Sequence, residues 1–199
     1  MKYKVSDHSF VSKLIQIIKY DLIDLTVNRV MAGNKIFGAA LIFKRDLSLL
    51  LVECNNEIEN PIWHGEMYAI KKFFELKSRP EPEELIFLSS HEPCSMCLSA
   101  ITWAGFDNIF YLFSHDESKS KFGIPHDIKI FDELFSCQNG RYNKNNLFWR
   151  STSINQIIDE LCEPHKSNLS IEISQIYESY TKLSEVYQNQ KFSNKIPLK

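Results

Sequence analysis

No stretch of this 199-residue chain approaches about eighteen consecutive apolar residues, which excludes a membrane-spanning helix. The opening run MKYKVSDHSFVSKL has early lysines, but Asp7 and His8 interrupt it before an apolar stretch of leader length develops; a cytoplasmic protein is expected. A Lys/Arg block is also missing. With 23 basic and 25 acidic residues the net charge is -2, which argues against a large polyanionic partner. Cysteine is sparse and odd in number: of five, only Cys94 and Cys97 form a C-x-x-C, while Cys54, Cys137 and Cys162 stand singly. That pattern excludes a disulfide framework and leaves metal spacing. No second C-x-x-C or H-x-x-x-H pair is present to complete a closed structural zinc site, although His91, three residues before Cys94, is a further donor.

What is there suffices for one globular domain with an appended helical segment: 44% of residues are hydrophobic and 24% charged. Val11, Leu14, Ile15, Ile18, Leu22 and Leu25 recur at three- and four-residue intervals, predicting an amphipathic helix over about 9–29. Phe37 to Phe43 and Leu49 to Cys54 are apolar runs joined by Lys44-Arg45-Asp46, the pattern of a β-hairpin. A helix is expected from His64 to about Lys77, with Met67, Ile70 and Phe74 as its buried stripe and Pro80 and Pro82 beyond its end. Strands follow at Leu85 to Ser90 and Asn108 to Phe113, a helix at Ser95 to Ala104, and a fifth strand within Leu147 to Ile154. Alternation of strand and helix predicts an α/β fold, a sheet covered on both faces. The domain is drawn over residues 1–163. A C-terminal helical extension over 164–199 carries Ile173, Ile176, Tyr177, Tyr180, Leu183 and Tyr187 on one face, to pack on the domain or a partner subunit.

Two clusters thirty residues apart carry the chemistry: His64-Gly65-Glu66 in PIWHGEM, and Pro93-Cys94-Ser95-Met96-Cys97 in HEPCSMCLSA. One imidazole and two thiolates suit tetrahedral Zn²⁺, and three protein ligands leave a fourth position for water, as in catalytic sites. The exposed amides at a helix start favour anionic sulfur at Cys94 and Cys97. Glu66, two residues after a ligand, is not needed for coordination and is placed to move protons. A C-x-x-C by itself also fits structural zinc or a thioredoxin-like redox centre.

His-x-Glu together with Pro-Cys-x-x-Cys is the signature of zinc nucleobase deaminases. From about Phe37 to about Phe135 the chain resembles the cytidine and deoxycytidylate deaminase superfamily. The run FGAAL resembles the family's first strand, and EPCSMCLSAITWAG is close to the pattern of the guanine, yeast-type cytosine and tRNA adenosine deaminase branch. The resemblance implies a three-layer α/β/α sandwich around a five-stranded mixed sheet of the cytidine deaminase type. It implies one Zn²⁺ per subunit on His64, Cys94 and Cys97, with Glu66 as the proton shuttle from water to the ring nitrogen and the departing amine. Asn55, Phe37, Trp63 and Asp127 are the residues it offers for substrate contact, although a helix N-cap is the other role expected of Asp127. Homodimerisation is implied as well.

Substrate choice is expected to reside in SHDESKSKFGIPHD, which holds His115, Asp116, His126 and Asp127. His-Gly-Glu resembles the yeast-type cytosine deaminases, and Asn60-Pro61-Ile62 departs from the purine-acting relatives. The expected activity is hydrolytic release of ammonia from a free nucleobase or nucleoside, guanine-like purine or cytosine, as an enzyme of nucleobase metabolism. The alternatives are tRNA adenosine-to-inosine deamination and a non-catalytic zinc-stabilised binding module.

Overall fold

A computed structural model describes residues 7–199, so the first six positions of the opening run lie outside the described residues. Helix α1 (His8–Gln16) passes through a π-helical segment (Ile17–Leu22) into α2 (Ile23–Met31). The predicted first helix is thus present and slightly longer. The π segment changes which residues face inward: beyond it the buried face runs Leu22, Thr26, Val30, and Leu25 is only partly buried.

Strands β1 (Gly38–Phe43) and β2 (Leu49–Cys54) pair antiparallel as the hairpin, followed by α3 (Gly65–Glu75), β3 (Leu85–His91), α4 (Ser95–Trp103) and β4 (Asn108–Phe113). Then come α5 (His115–Ser120), α6 (His126–Phe135), β5 (Arg150–Ser153), α7 (Ile154–Asp159) and α8 (His165–Gln190). The sheet order is β2-β1-β3-β4-β5, with β1 and β3 antiparallel and β3, β4 and β5 mutually parallel. This is the expected five-stranded mixed sheet.

Alternation along the strands divides the core. Ala40, Ile42, Ile86, Leu88, Phe110 and Leu112 face one layer, formed by α1, α2, α7 and α8; Ala39, Leu41, Leu85, Phe87 and Ile109 face the other, which carries α3, α4 and α6. Ile176, Tyr180, Leu183 and Tyr187 bury the inner face of α8 in the first layer, so the C-terminal helix covers its own sheet. None of the helices of the described residues is long and apolar enough to cross a membrane.

Three local expectations are corrected. In α3 the buried residues are Tyr68, Ala69 and Phe73; Met67 and Ile70 are half-buried and Phe74 is exposed. Glu66 faces the interior, and residues three and seven positions on share its face, so the stripe is rotated by one residue. The fifth strand begins only at Arg150, because Asn146 Oδ1 accepts from the backbone N–H groups of Phe148 (2.9 Å) and Trp149 (3.1 Å) and holds a turn there. The N-cap of α6 is Pro125, and Asp127 lies inside the first turn.

Candidate metal centre and cavity

Proline and glycine shape both approaches to the site. At the end of β3 the chain turns through Pro93, and Cys94 becomes the N-cap of α4 with Cys97 in its first turn. His115 Nε2 lies 3.1 Å from the Pro93 carbonyl, and Glu92 accepts from the His115 backbone N–H at 3.1 Å. Lys144 Nζ (2.6 Å) and Tyr142 Oη (2.9 Å) complete the surroundings of Glu92. Burial raises the pKa of Glu92, but His115 and the Lys144 ammonium outweigh it and hold the carboxyl below its usual range. This cluster fixes the turn that carries Cys94.

On the other side, His64 is the N-cap of α3 and Gly65 its first residue. A Cβ on Gly65 would stand 2.6 Å from Gly38 Cα, so only glycine lets the start of α3 press against β1. Asn55, at the end of β2, accepts from the Gly65 N–H through Oδ1 at 2.6 Å and donates through Nδ2 to Glu57 at 2.8 Å. The metal-side helix is therefore tied to the hairpin by a buried amide.

These elements bring together His64 Nδ1, Cys94 Sγ and Cys97 Sγ, all within 4.8 Å of one another. The two sulfurs are 3.4 Å apart and lie 3.6 and 3.7 Å from the imidazole nitrogen. Tetrahedral zinc with bonds of about 2.3 Å to sulfur and about 2.0 Å to nitrogen requires donor separations of about 3.5–3.8 Å. The three donors therefore fit zinc in spacing and in kind. The hydrogen bond to Cys97 holds Cys94 well below the ordinary thiol range, while burial pushes Cys97 up. Burial works against a charge on His64, but the Cys94 sulfur beside it raises the imidazole to about 9.

Glu66 lies next to the donors. It is buried, Oε1 accepts from Ser89 Oγ at 2.9 Å, and Oε2 is 3.5 Å from Cys97 Sγ. Burial, reinforced by the Cys94 charge, pushes its carboxyl above the usual range. A carboxyl raised in this way holds a proton more readily than an exposed one, which suits a group that takes up a proton and gives it back.

His64 and Cys94 open onto a cavity of about 400 Å³, with Phe37, Asp127, His126, Lys35, Glu57, Ser95 and Ser99 on its wall. Much of the rest is apolar, from Ile62, Ile124, Ile130, Leu134 and Phe135, together with Ile196, Pro197 and Leu198 from beyond α8. Of the four residues expected at the substrate, Phe37 and Asp127 are on the wall; Asn55 and Trp63 are not. Burial raises Asp127 to about 7. In the stretch expected to choose the substrate, His126 and Asp127 reach the cavity, whereas His115 serves the Cys94 turn and Asp116 is exposed. Sequence reasoning missed Ser89, Lys35 and Glu57. The last two carried a signal, an acid just after Asn55-Asn56 and a lysine directly before an apolar strand.

Residues 23–113 match the model of the cytidine and deoxycytidylate deaminase zinc-binding region. A guanine deaminase from Bacillus subtilis (strain 168) is 32% identical over 84 residues, which are 41% of this chain and 53% of that protein. The chain thus spans about half the length of this curated relative. The guanine deaminase structure from Nitrosomonas europaea superposes with a TM-score of 0.51 at 16% identity, covering 88% of this chain and 84% of that one. A mutant crystallised in complex with 8-azaguanine superposes over the same shares with a TM-score of 0.53 at 14% identity, a likeness of fold. The matched region contains both clusters, His64 to Glu66 and Cys94 to Cys97, and over these residues the chain is similar to the cytidine and deoxycytidylate deaminase zinc-binding region.

Proposed function

We propose that this chain is a zinc-dependent hydrolytic deaminase that releases ammonia from a free nucleobase, a guanine-like purine. The observation that carries the reading is a buried carboxylate, Glu66, 3.5 Å from a zinc-suited donor cluster that opens onto an apolar cavity of about 400 Å³. Identity to the Bacillus subtilis guanine deaminase supports the purine. One zinc ion per chain would be held by His64, Cys94 and Cys97, and when bound it supplies a Lewis acid that lowers the pKa of water. Ser89 fixes Glu66 through Oε1, which leaves Oε2 on the donor side to accept a proton and later release it to the ring nitrogen and the amine. Phe37 packs against the flat base and Asp127 takes its N–H groups, a role supported by their place on the cavity wall. Asn55 acts from behind that wall through its hydrogen bonds to Gly65 and Glu57, whereas Trp63 packs beside Tyr68.

The apolar lining and the net charge of -2 favour a small base over a tRNA stem-loop. Five free cysteines support a reducing, cytoplasmic setting. Trp103, 90% exposed, and Leu147, 92% exposed, flank segments joined by the Trp149 to Thr102 hydrogen bond at 2.7 Å, and support a homodimer. Light scattering should return twice the mass of 23.3 kDa, and a monomer at micromolar concentration would remove this part of the proposal. For the activity, zinc-loaded protein is assayed for ammonia release from guanine, adenine, cytosine, their nucleosides and an anticodon stem-loop. Guanine turnover that falls at least about a hundredfold in Glu66→Gln, with zinc retained, is the expected result. Turnover of the stem-loop alone, or a Glu66→Gln protein of full activity, would overturn the reading.

A further inference from the structure

Behind His64 lies an ion pair that the proton-transfer machinery does not use. Lys35 Nζ donates to Glu57 Oε1 at 2.6 Å, and the two side chains are only 5% and 1% exposed. Both line the cavity. Glu57 is fully engaged: Oε2 accepts from the Lys35 backbone N–H at 3.2 Å and from Asn55 Nδ2 at 2.8 Å, and Oε1 lies 3.8 Å from His64 Nε2. Lys35 is not. Its ammonium has three donors, and Glu57 is the one hydrogen-bond partner among the described residues, with the Tyr187 ring 6.0 Å away.

A buried ammonium with unused donors is costly unless an acceptor completes it. The same cavity is lined by apolar Phe37, Ile124 and Ile196, and its polar residues His126 and Asp127 make no hydrogen bond to the Lys35 ammonium among the described residues. Asn55, whose amide would be the obvious polar contact for a base, has its oxygen committed to Gly65 and its nitrogen to Glu57. Lys35 therefore presents unused donors to the cavity beside the metal ligands, opposite in kind to the Asp127 carboxyl, with Asn55 and Glu57 as its rigid support.

We propose that Lys35 is a specificity-determining residue that donates to a ring carbonyl oxygen of the substrate, selecting bases that carry an oxo group over those that lack it. This rests on the reading of the cavity as a purine site. Guanine and 2-aminopurine form the matched pair, since they differ only in that oxygen and the ring proton that accompanies it.

The test measures dissociation constants of both bases on the zinc-loaded full chain, with 2-aminopurine fluorescence as the signal and guanine as competitor, alongside ammonia release. The wild type should prefer guanine by about tenfold to hundredfold, the range of a hydrogen bond from a charged donor. The double substitution Lys35→Met with Glu57→Gln removes both charges together and keeps the amide bonds to position 57. It should bring the two bases within about twofold while zinc content and melting temperature stay at wild-type values. A double variant that keeps the preference overturns the assignment, as does a wild type that binds both bases equally. If neither base binds, the assignment and the purine reading fall together; if discrimination and its loss are seen without ammonia release, only the catalytic reading falls.

Discussion

Ser89 is a small residue with a large expected effect. Its hydroxyl donates to Glu66 Oε1 from the middle of β3, where both side chains are buried and water has no access to replace it. A hydrogen bond to a charged group contributes about 1.5–3 kcal/mol, so Ser89→Ala should lower kcat by roughly tenfold or more while zinc content stays at the wild-type value. An unchanged kcat would show that Glu66 needs no such restraint. At this scale the gathering of His64, Cys94, Cys97 and Glu66 in one place was legible, because ligation and proton transfer restrict residue type and spacing. Ser89 was not. A lone serine in an apolar strand has no spacing to betray it, and its meaning comes from β3 lying beside α3.

Elements position these residues by close approach of backbone. The start of α3 and the first residue of β1 meet at Gly65 and Gly38, with no room for a methyl group between them. Gly65→Ala should push the helix off the strand at a cost of about 1–3 kcal/mol, and the displaced His64 should lower zinc occupancy. Urea unfolding and metal content would read both; a variant with wild-type stability and full zinc would contradict the account. Strand identities followed from short apolar runs and helix identities from the 3.6-residue period, and β4 matches its expected bounds, Asn108–Phe113. The stripe of α3 did not follow, since hydrophobicity alone cannot register that a buried carboxylate, Glu66, occupies the inner face. Nor did the onset of β5, where an asparagine side chain captures the amides that an apolar run would give to a strand.

Over the whole molecule, a metal held at this site would be coupled to the fold. The three donors come from the starts of α3 and α4, one on each side of the β3 strand that joins them, so an ion shared between them cross-links segments thirty residues apart. Zinc at a thousandfold excess over its dissociation constant stabilises a native state by about 4 kcal/mol, and chelation should lower Tm by roughly 10 °C. A Tm indifferent to chelator would mean that the three side chains hold no ion. The cavity has a comparable reach. Lys35 precedes the first strand, and Ile196, Pro197 and Leu198 follow the last helix, yet they bound the same space. No local segment retains the wall when the rest unfolds. A base seated there is linked to the global unfolding equilibrium, and its affinity doubles as a gauge of how intact the molecule is, so amide protons in both sheet layers should exchange more slowly when it binds.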